Sequence, residues 1–489
     1  KMSILKDGKV ECTELKIKKE TIATIKEGMK RACKTGGTAW PSSWNTMPHG
    51  ISVGRYIDPA FQQMEYERLW SRVWQVAIRV DEIPQVNDFT TYEIGDQSVL
   101  LVRVDPDTIK AYHNVCPHRG TALGEGAGTF EGGRIICPFH GWRWDVNGNN
   151  QYVLERQEFR DGKLCDSDVA LKELKCVEFA GFVFINFDRD PVPFDEFIAP
   201  VRSFLDDLAI GEMRHYWWKS IPIPSNWKVA QEAFFETYHV PATHPQLEKP
   251  AAEFIYRASE QKDFQFSHRH VAYDAFPHGH GRFYAGEKTP MAGNVQPQGG
   301  DPVEAMAARL QLLVDGMDAQ VLQGDIDVLL TLRGKPVPSG SSLGAEYIKA
   351  LYARAAAEQR PMPKPTPETL GMWGGEIFIF PNVMILPHAG NAMIYRVRPA
   401  GSDPDRCTFE IFSTRSYPAA VKPPRATLQR VTDLGDPEQV LLIPRQDLGN
   451  IPRMQKGLHS RAMRQTWLAS HHERMILNMH QAMDRYLRA

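Results

Sequence analysis

Two short stretches place cysteine and histidine at ligand-like spacings. They are Cys116-Pro117-His118-Arg119-Gly120-Thr121 and, with 18 residues between His118 and the next cysteine, Cys137-Pro138-Phe139-His140-Gly141-Trp142. Each stretch offers one thiolate and one imidazole. Two Cys and two His suit a [2Fe–2S] cluster whose second iron is held by imidazoles, because neutral nitrogen in place of thiolate reduces the negative charge and raises the potential. The same four side chains also suit tetrahedral zinc. Structural zinc sites usually pair Cys with Cys and His with His, whereas both stretches here are mixed. Gly120 and Gly141 allow tight turns beside the ligands.

A second set lies between Asn226 and His244. If this stretch is one helix as far as His239, Glu232, Glu236 and His239 share a face by their i, i+4, i+7 spacing, and His244 follows from the helix end. Two His and one carboxylate on one face of an Fe(II) octahedron leave positions open for O2 and substrate. By itself, a pair of histidines five apart is more often a pair of ordinary core or surface residues. Its company with the first set gives it weight.

The elements that must position these residues are legible in outline. Apolar residues recur at helical intervals from Tyr56 to Trp74. From 88 to 113, and on to about 187, the pattern alternates, is rich in β-branched and aromatic residues and is cut by turns, which predicts a small antiparallel β-domain. After Pro191, residues 194–210 read as a helix, 215–224 as a strand and 376–417 as three antiparallel strands. Gln465 to Leu487 read as a helix with Trp467, Ile476, Met479, Met483 and Tyr486 on its apolar side. Residues 285–370 are rich in Gly, Pro and Ala. Within them Asp301-Pro302 opens a helix striped by Met306, Leu310, Leu313 and Met317, which either packs on the core or acts as a lid.

With these residues in place, the chain resembles the aromatic-ring-hydroxylating Rieske non-haem iron oxygenases, specifically their alpha, catalytic subunits. The family patterns C-x-H-R-G and C-x-x-H-G-W match Cys116, His118, Cys137 and His140, and its mononuclear-iron stretch matches His239 and His244. The resemblance covers roughly residues 50–280 and 370–489. It implies an α+β fold in which a small all-β Rieske [2Fe-2S] domain is inserted into a larger catalytic domain, whose antiparallel sheet is flanked by helices. The expected division is a basic arm at 1–50, a helical part of the catalytic domain at 51–83, the Rieske domain at 84–187 and the catalytic mononuclear-iron domain at 188–489, with 285–370 as an insertion.

The resemblance further implies a third iron ligand far downstream, in a D-x-x-N-x-x-x-x-Q stretch that Asp447, Asn450 and Gln455 match; Asp433 and Asp436 are rivals. It assigns Glu236 as an acidic bridge between His239 and His140 of a neighbouring subunit in a homotrimer, with or without a beta subunit. Ring dioxygenases commonly carry Asp there, and some members acting on quaternary amines carry Glu. The implied reaction is mono- or dioxygenation of a hydrophobic aromatic or polycyclic substrate by O2, with Phe234, Phe235 and Phe378 as pocket wall. The alternatives are a quaternary or alkyl amine held by aromatics such as Trp217 or Trp218, and a Rieske electron carrier. Because Gly124–Phe130 lacks a dinucleotide fingerprint, NAD(P)H electrons must come through a separate reductase or ferredoxin.

Composition sets bounds on this reading. The 489 residues carry a formal net charge of −2, with 42% hydrophobic and 24% charged residues, as in ordinary globular proteins. Neither nucleic acid nor a membrane is an expected partner. Residues 1–40 hold ten Lys/Arg against five Asp/Glu and no continuous apolar run, which predicts a basic surface arm rather than a signal peptide. Seven scattered cysteines argue against a disulfide framework and for a cytoplasmic setting.

Overall fold

The computed structural model describes residues 2–6, 9–13, 40–247, 271–285 and 301–489. Its centre is an eight-stranded sheet. The spatial order is Val271–Ala275, Gly281–Ala285, Glu376–Ile379, Val383–Pro387, Asn391–Pro399, Cys407–Arg415, Arg214–Ile223 and Leu428–Arg430, antiparallel except for the last pair. The segment 376–417 therefore makes four strands rather than three, because the chain reverses at Phe380-Pro381-Asn382. Register runs Phe378 to Met384 to Tyr395, so these side chains share one sheet face. Phe283, Phe378, Tyr395 and Phe409 are all buried, as expected of strands with a covered face.

The β-domain is built from a four-stranded sheet (Thr108–His113, Gln97–Asp105, Asp88–Ile94, Ala127–Thr129) and a three-stranded one (Arg134–Ile136, Arg143–Asp145, Asn150–Tyr152). Leu100, Val102, Tyr112, Ile135, Trp144 and Leu171 give it a core of its own. Strands Lys175–Phe179 and Phe182–Asn186 extend it to Gln75–Arg79, and there they join the main core.

Three helical expectations need correction. The run from Tyr56 is broken at Pro59: Asp58 caps the helix Pro59–Met64 by accepting from Ala60 N at 2.9 Å, and Glu65–Trp70 continues as a π-helix. The stretch from Asn226 is helical only over Trp227–Glu232. The C-terminal helix is Arg474–Leu487, and Trp467, outside it, is 77% exposed and belongs to no apolar face.

Helix Pro302–Met317 is capped by Asp301 as its sequence predicts. With Gln323–Leu330 and Leu343–Ala357 it forms a third apolar cluster around Leu310, Ile326, Leu329 and Leu351. Its inner side meets helix Leu442–Leu458: a Cβ on Gly316 would lie 2.7 Å from Ile443 Cδ1. The expected arm falls mostly outside the described residues, which there include strands Met2–Lys6 and Lys9–Thr13, paired antiparallel. Among the described residues no helix is long and apolar enough to cross a membrane.

Candidate metal centres

His239 and His244 flank a single helical turn, Val240–Thr243, as its two caps. His244 N donates to Val240 O at 2.8 Å, which fixes the separation of the two rings. Asp447 comes from helix Leu442–Leu458 and is buried. His244 Nε2 lies 2.8 Å, and His239 Nε2 3.6 Å, from Asp447 Oδ1. The three ligand atoms all fall within 4.8 Å of one another.

The far nitrogen of each ring is held. His239 Nδ1 donates to Glu236 Oε1 at 2.9 Å, and Glu236 Oε2 also accepts from His239 N. His244 Nδ1 donates to Gln446 Oε1 at 2.9 Å, and Gln246 Nε2 donates to the same oxygen at 2.8 Å. Acceptors at both Nδ1 atoms place the ring protons there and leave both Nε2 lone pairs pointing inward. Two lone pairs and a carboxylate oxygen then converge with no donor between them, and that donor set suits a divalent cation. Burial works against the His239 cation, but the hydrogen bond and charge of Glu236 outweigh it and raise the ring's basicity. The side chain of His239 is 24% exposed against 4% for His244, so the group is open on the His239 side.

Asp433 and Asp436, the rivals, spend their oxygens locally, accepting from Gly435 N and Glu438 N in an exposed turn. Glu232 is not on a common face with His239. It turns to Tyr56 (2.9 Å) and His480 (2.7 Å).

The two Cys/His loops fold alike. Cys116 N donates to Thr121 O at 2.8 Å and Gly120 N to Cys116 O at 2.9 Å; Cys137 N donates to Trp142 O at 2.9 Å and Gly141 N to Cys137 O at 3.0 Å. Both turns need a left-handed residue, with φ of 82° at Gly120 and 69° at Gly141. Backbone N–H groups of His118 and Arg119 point to the Cys116 sulfur, and those of Phe139 and His140 to Cys137. The His118 and His140 rings are 4.6 Å apart, and His118 stacks on Trp142. His118 Nδ1 is buried without a partner. Two thiols with amide donors around them, together with an orphaned inward imidazole nitrogen, fit a [2Fe–2S] cluster.

Phe235 and Phe378 pack on each other, 4.4 Å between ring centroids, with no exposed surface, and Phe234 lies against Tyr395 (4.5 Å) and Phe409 (5.2 Å). Trp217 and Trp218 do not join this wall. Trp217 Nε1 donates to Asp318 O at 2.7 Å, and Trp218 pairs in register with Phe412, which projects from the opposite sheet face. Gln446 and Gln246 were not singled out in the sequence; adjacency of Gln446 to Asp447 was the available signal.

Comparison with known proteins follows the same lines. The family described as the Rieske [2Fe-2S] domain matches residues 73–161. The family described as the ring hydroxylating alpha subunit (catalytic domain) matches 210–312 and 336–489, more than half the chain. The carnitine monooxygenase oxygenase subunit of Escherichia coli is 29% identical over 193 residues, covering 39% of this chain and 50% of the relative. The glycine betaine monooxygenase oxygenase subunit of a Pseudomonas aeruginosa strain is 27% identical over 247 residues (48% and 56%). The methanesulfonate monooxygenase hydroxylase subunit alpha of Methylosulfonomonas methylovora is 28% identical over 194 residues (38% and 47%). The chain thus spans about half the length of the curated relatives it matches.

Two solved structures align over most of the chain. The quaternary ammonium Rieske monooxygenase CntA with L-carnitine gives a TM-score of 0.58 at 16% identity, covering 92% of this chain and 99% of that one. Naphthalene 1,2-dioxygenase with indole gives 0.61 at 16%, covering 92% and 94%. At these identities the likeness is one of fold.

Proposed function

The chain belongs to the ring-hydroxylating alpha-subunit family with a Rieske [2Fe-2S] domain, and from that premise we propose that it is the terminal component of an O2-dependent oxygenase. It hydroxylates a small organic substrate with electrons delivered from NAD(P)H by a separate reductase or ferredoxin. The observation that carries this reading is the convergence of His239, His244 and Asp447 with both imidazoles anchored at their far nitrogens.

Cys116, His118, Cys137 and His140 would hold the cluster, and His239, His244 and Asp447 the mononuclear iron. When bound, the first supplies single electrons and the second activates O2. The chain's own residues do the rest. Glu236 and Gln446 orient the two imidazoles, and Glu236 offers its carboxylate as the link to His140 of a neighbouring subunit in a trimer. Phe234, Tyr395 and Phe409 present a dry wall that excludes water from the reacting side.

Such a wall suits a hydrophobic aromatic or polycyclic substrate, and it also suits an amine through cation–π contact. Glu at position 236 and the amine-oxidising relatives support the amine reading. A cytoplasmic location belongs to the same proposal.

Metal and sulfide analysis of protein made under iron-replete conditions tests it. The oxygenase requires about three irons and two acid-labile sulfides per chain. Asp447→Ala should drop this to two irons, keep the visible Rieske spectrum and abolish reductase-dependent product formation. Two irons in the wild type, with no substrate-dependent O2 uptake, would instead support an electron carrier.

A further inference from the structure

Strand Glu376–Ile379 begins with a carboxylate that nothing meets. Glu376 has no exposed surface, and neither of its side-chain oxygens has a hydrogen-bond partner among the described residues. Other deeply buried acids are answered: Glu65 by Lys228 at 2.6 Å and Trp227 at 3.0 Å, Glu410 by Arg396 at 2.8 Å and Arg398 at 3.1 Å, Asp325 by Asn391 at 2.9 Å. An unanswered buried carboxyl is costly to folding. It calls for an explanation outside folding.

Its position supplies one. Glu376 and Phe378 are two apart on one strand and project from the same face, the face whose register leads to Tyr395. Phe378 meets Phe235, and Tyr395 meets Phe234, so this face looks toward the segment that carries the two histidines. Glu376 pairs in register with Phe283, whose ring neighbours Tyr273. The Tyr273 hydroxyl is 3.0 Å from Thr237 Oγ1, beside Glu236. Burial first, and then the charge of Glu236, push the Glu376 carboxyl far above the usual range.

We propose that Glu376 is the substrate's anchor, pairing with a cationic nitrogen that bears at least one N–H: an ammonium, amidinium or guanidinium group. The inference rests on the oxygenase reading and deepens it by naming the substrate class. Once ionised, the two oxygens of Glu376 need both a positive charge and donors. A quaternary ammonium supplies only the charge, a neutral arene supplies neither, and an N–H cation supplies both through a charge-assisted hydrogen bond. The proton balance is simple. The empty site keeps the carboxyl proton; an amine arriving as free base takes it, and an amine arriving as cation displaces it to solvent. Either route ends in one carboxylate and one N–H cation.

Calorimetric titration of the iron-replete full chain with three probes of related shape tests this: benzylammonium, benzyltrimethylammonium and ethylbenzene. Wild type should bind benzylammonium about tenfold or more tighter than the other two. Glu376→Gln should lose that preference by about the same factor while retaining its iron. Undiminished binding of benzylammonium by E376Q overturns the proposal, as does equal binding of benzyltrimethylammonium by wild type, or no binding of benzylammonium at all. Should E376Q not fold, infrared difference spectra of wild type decide. Benzylammonium must abolish the carbonyl band of a protonated buried carboxyl, and persistence of that band refutes the anchor. Benzylammonium bound through Glu376 by a wild type that holds two irons per chain instead of about three would leave the anchor standing and remove the oxygenase reading.

Discussion

Gln446 decides which nitrogen of His244 is free. Its side-chain oxygen accepts from Nδ1–H and is itself oriented by Gln246, which both donates to it and accepts from Gln446 Nε2 at 3.1 Å. Gln446→Leu removes that acceptor while leaving all three ligands. Mononuclear iron affinity should fall about 10- to 100-fold, the range typical of lost outer-sphere partners. Iron titration under anaerobic conditions measures this, and the Rieske absorption spectrum should not change. The Cys/His pairs, and His239 with His244, were legible as candidate ligands because metal chemistry restricts both residue type and local spacing; Asp447 came from the resemblance alone. Gln446 and Glu376 were not, since their roles depend on what stands opposite them in space. A glutamine beside an aspartate, or a glutamate opening a strand, carries no pattern.

The short helix Trp227–Glu232 shows why local period alone overreached. Helical spacing through His239 put Glu232 on the metal face, yet the chain leaves the helix at Ala233 and both following phenylalanines pack toward the sheet. Tertiary burial overrode local periodicity there. What holds this helix is a buried ion pair: Lys228 Nζ lies 2.6 Å from Glu65 Oε1, and neither side chain has any exposure. Burial lowers the Lys228 ammonium's pKa, and Glu65 opposes that. Glu65→Gln strands the cation and should cost about 3–5 kcal/mol of stability, read from urea denaturation. Replacing the pair together, Lys228→Met with Glu65→Leu, should recover most of that loss. The β-domain, by contrast, was readable almost throughout. Alternation of side chains across a half-buried sheet is a two-residue pattern that turns punctuate sharply.

At the scale of the whole molecule, three apolar cores among the described residues divide the work: one under the Cys/His loops, one beneath the main sheet and one among the helices at 302–357. No local signal joins His244 to Asp447 across some 200 residues; the family resemblance supplied that link, and the fold accounts for it. Residues 303–351, within the stretch read as an insertion, supply most of the third core. That core meets the helix that carries Asp447, a proposed iron ligand. Gly316 sits against Ile443, and Asp447 follows Ile443 by four residues, one turn along the same side of the helix. Gly316→Val should push that helix outward and weaken iron retention by about 0.5–2 kcal/mol, with cluster absorbance intact. The contact works as a tuning screw set into the outer casing. If Asp447 holds the iron, a lineage would adjust how firmly the ferrous ion is kept by changing one seam residue, with the proposed substrate contacts left as they were.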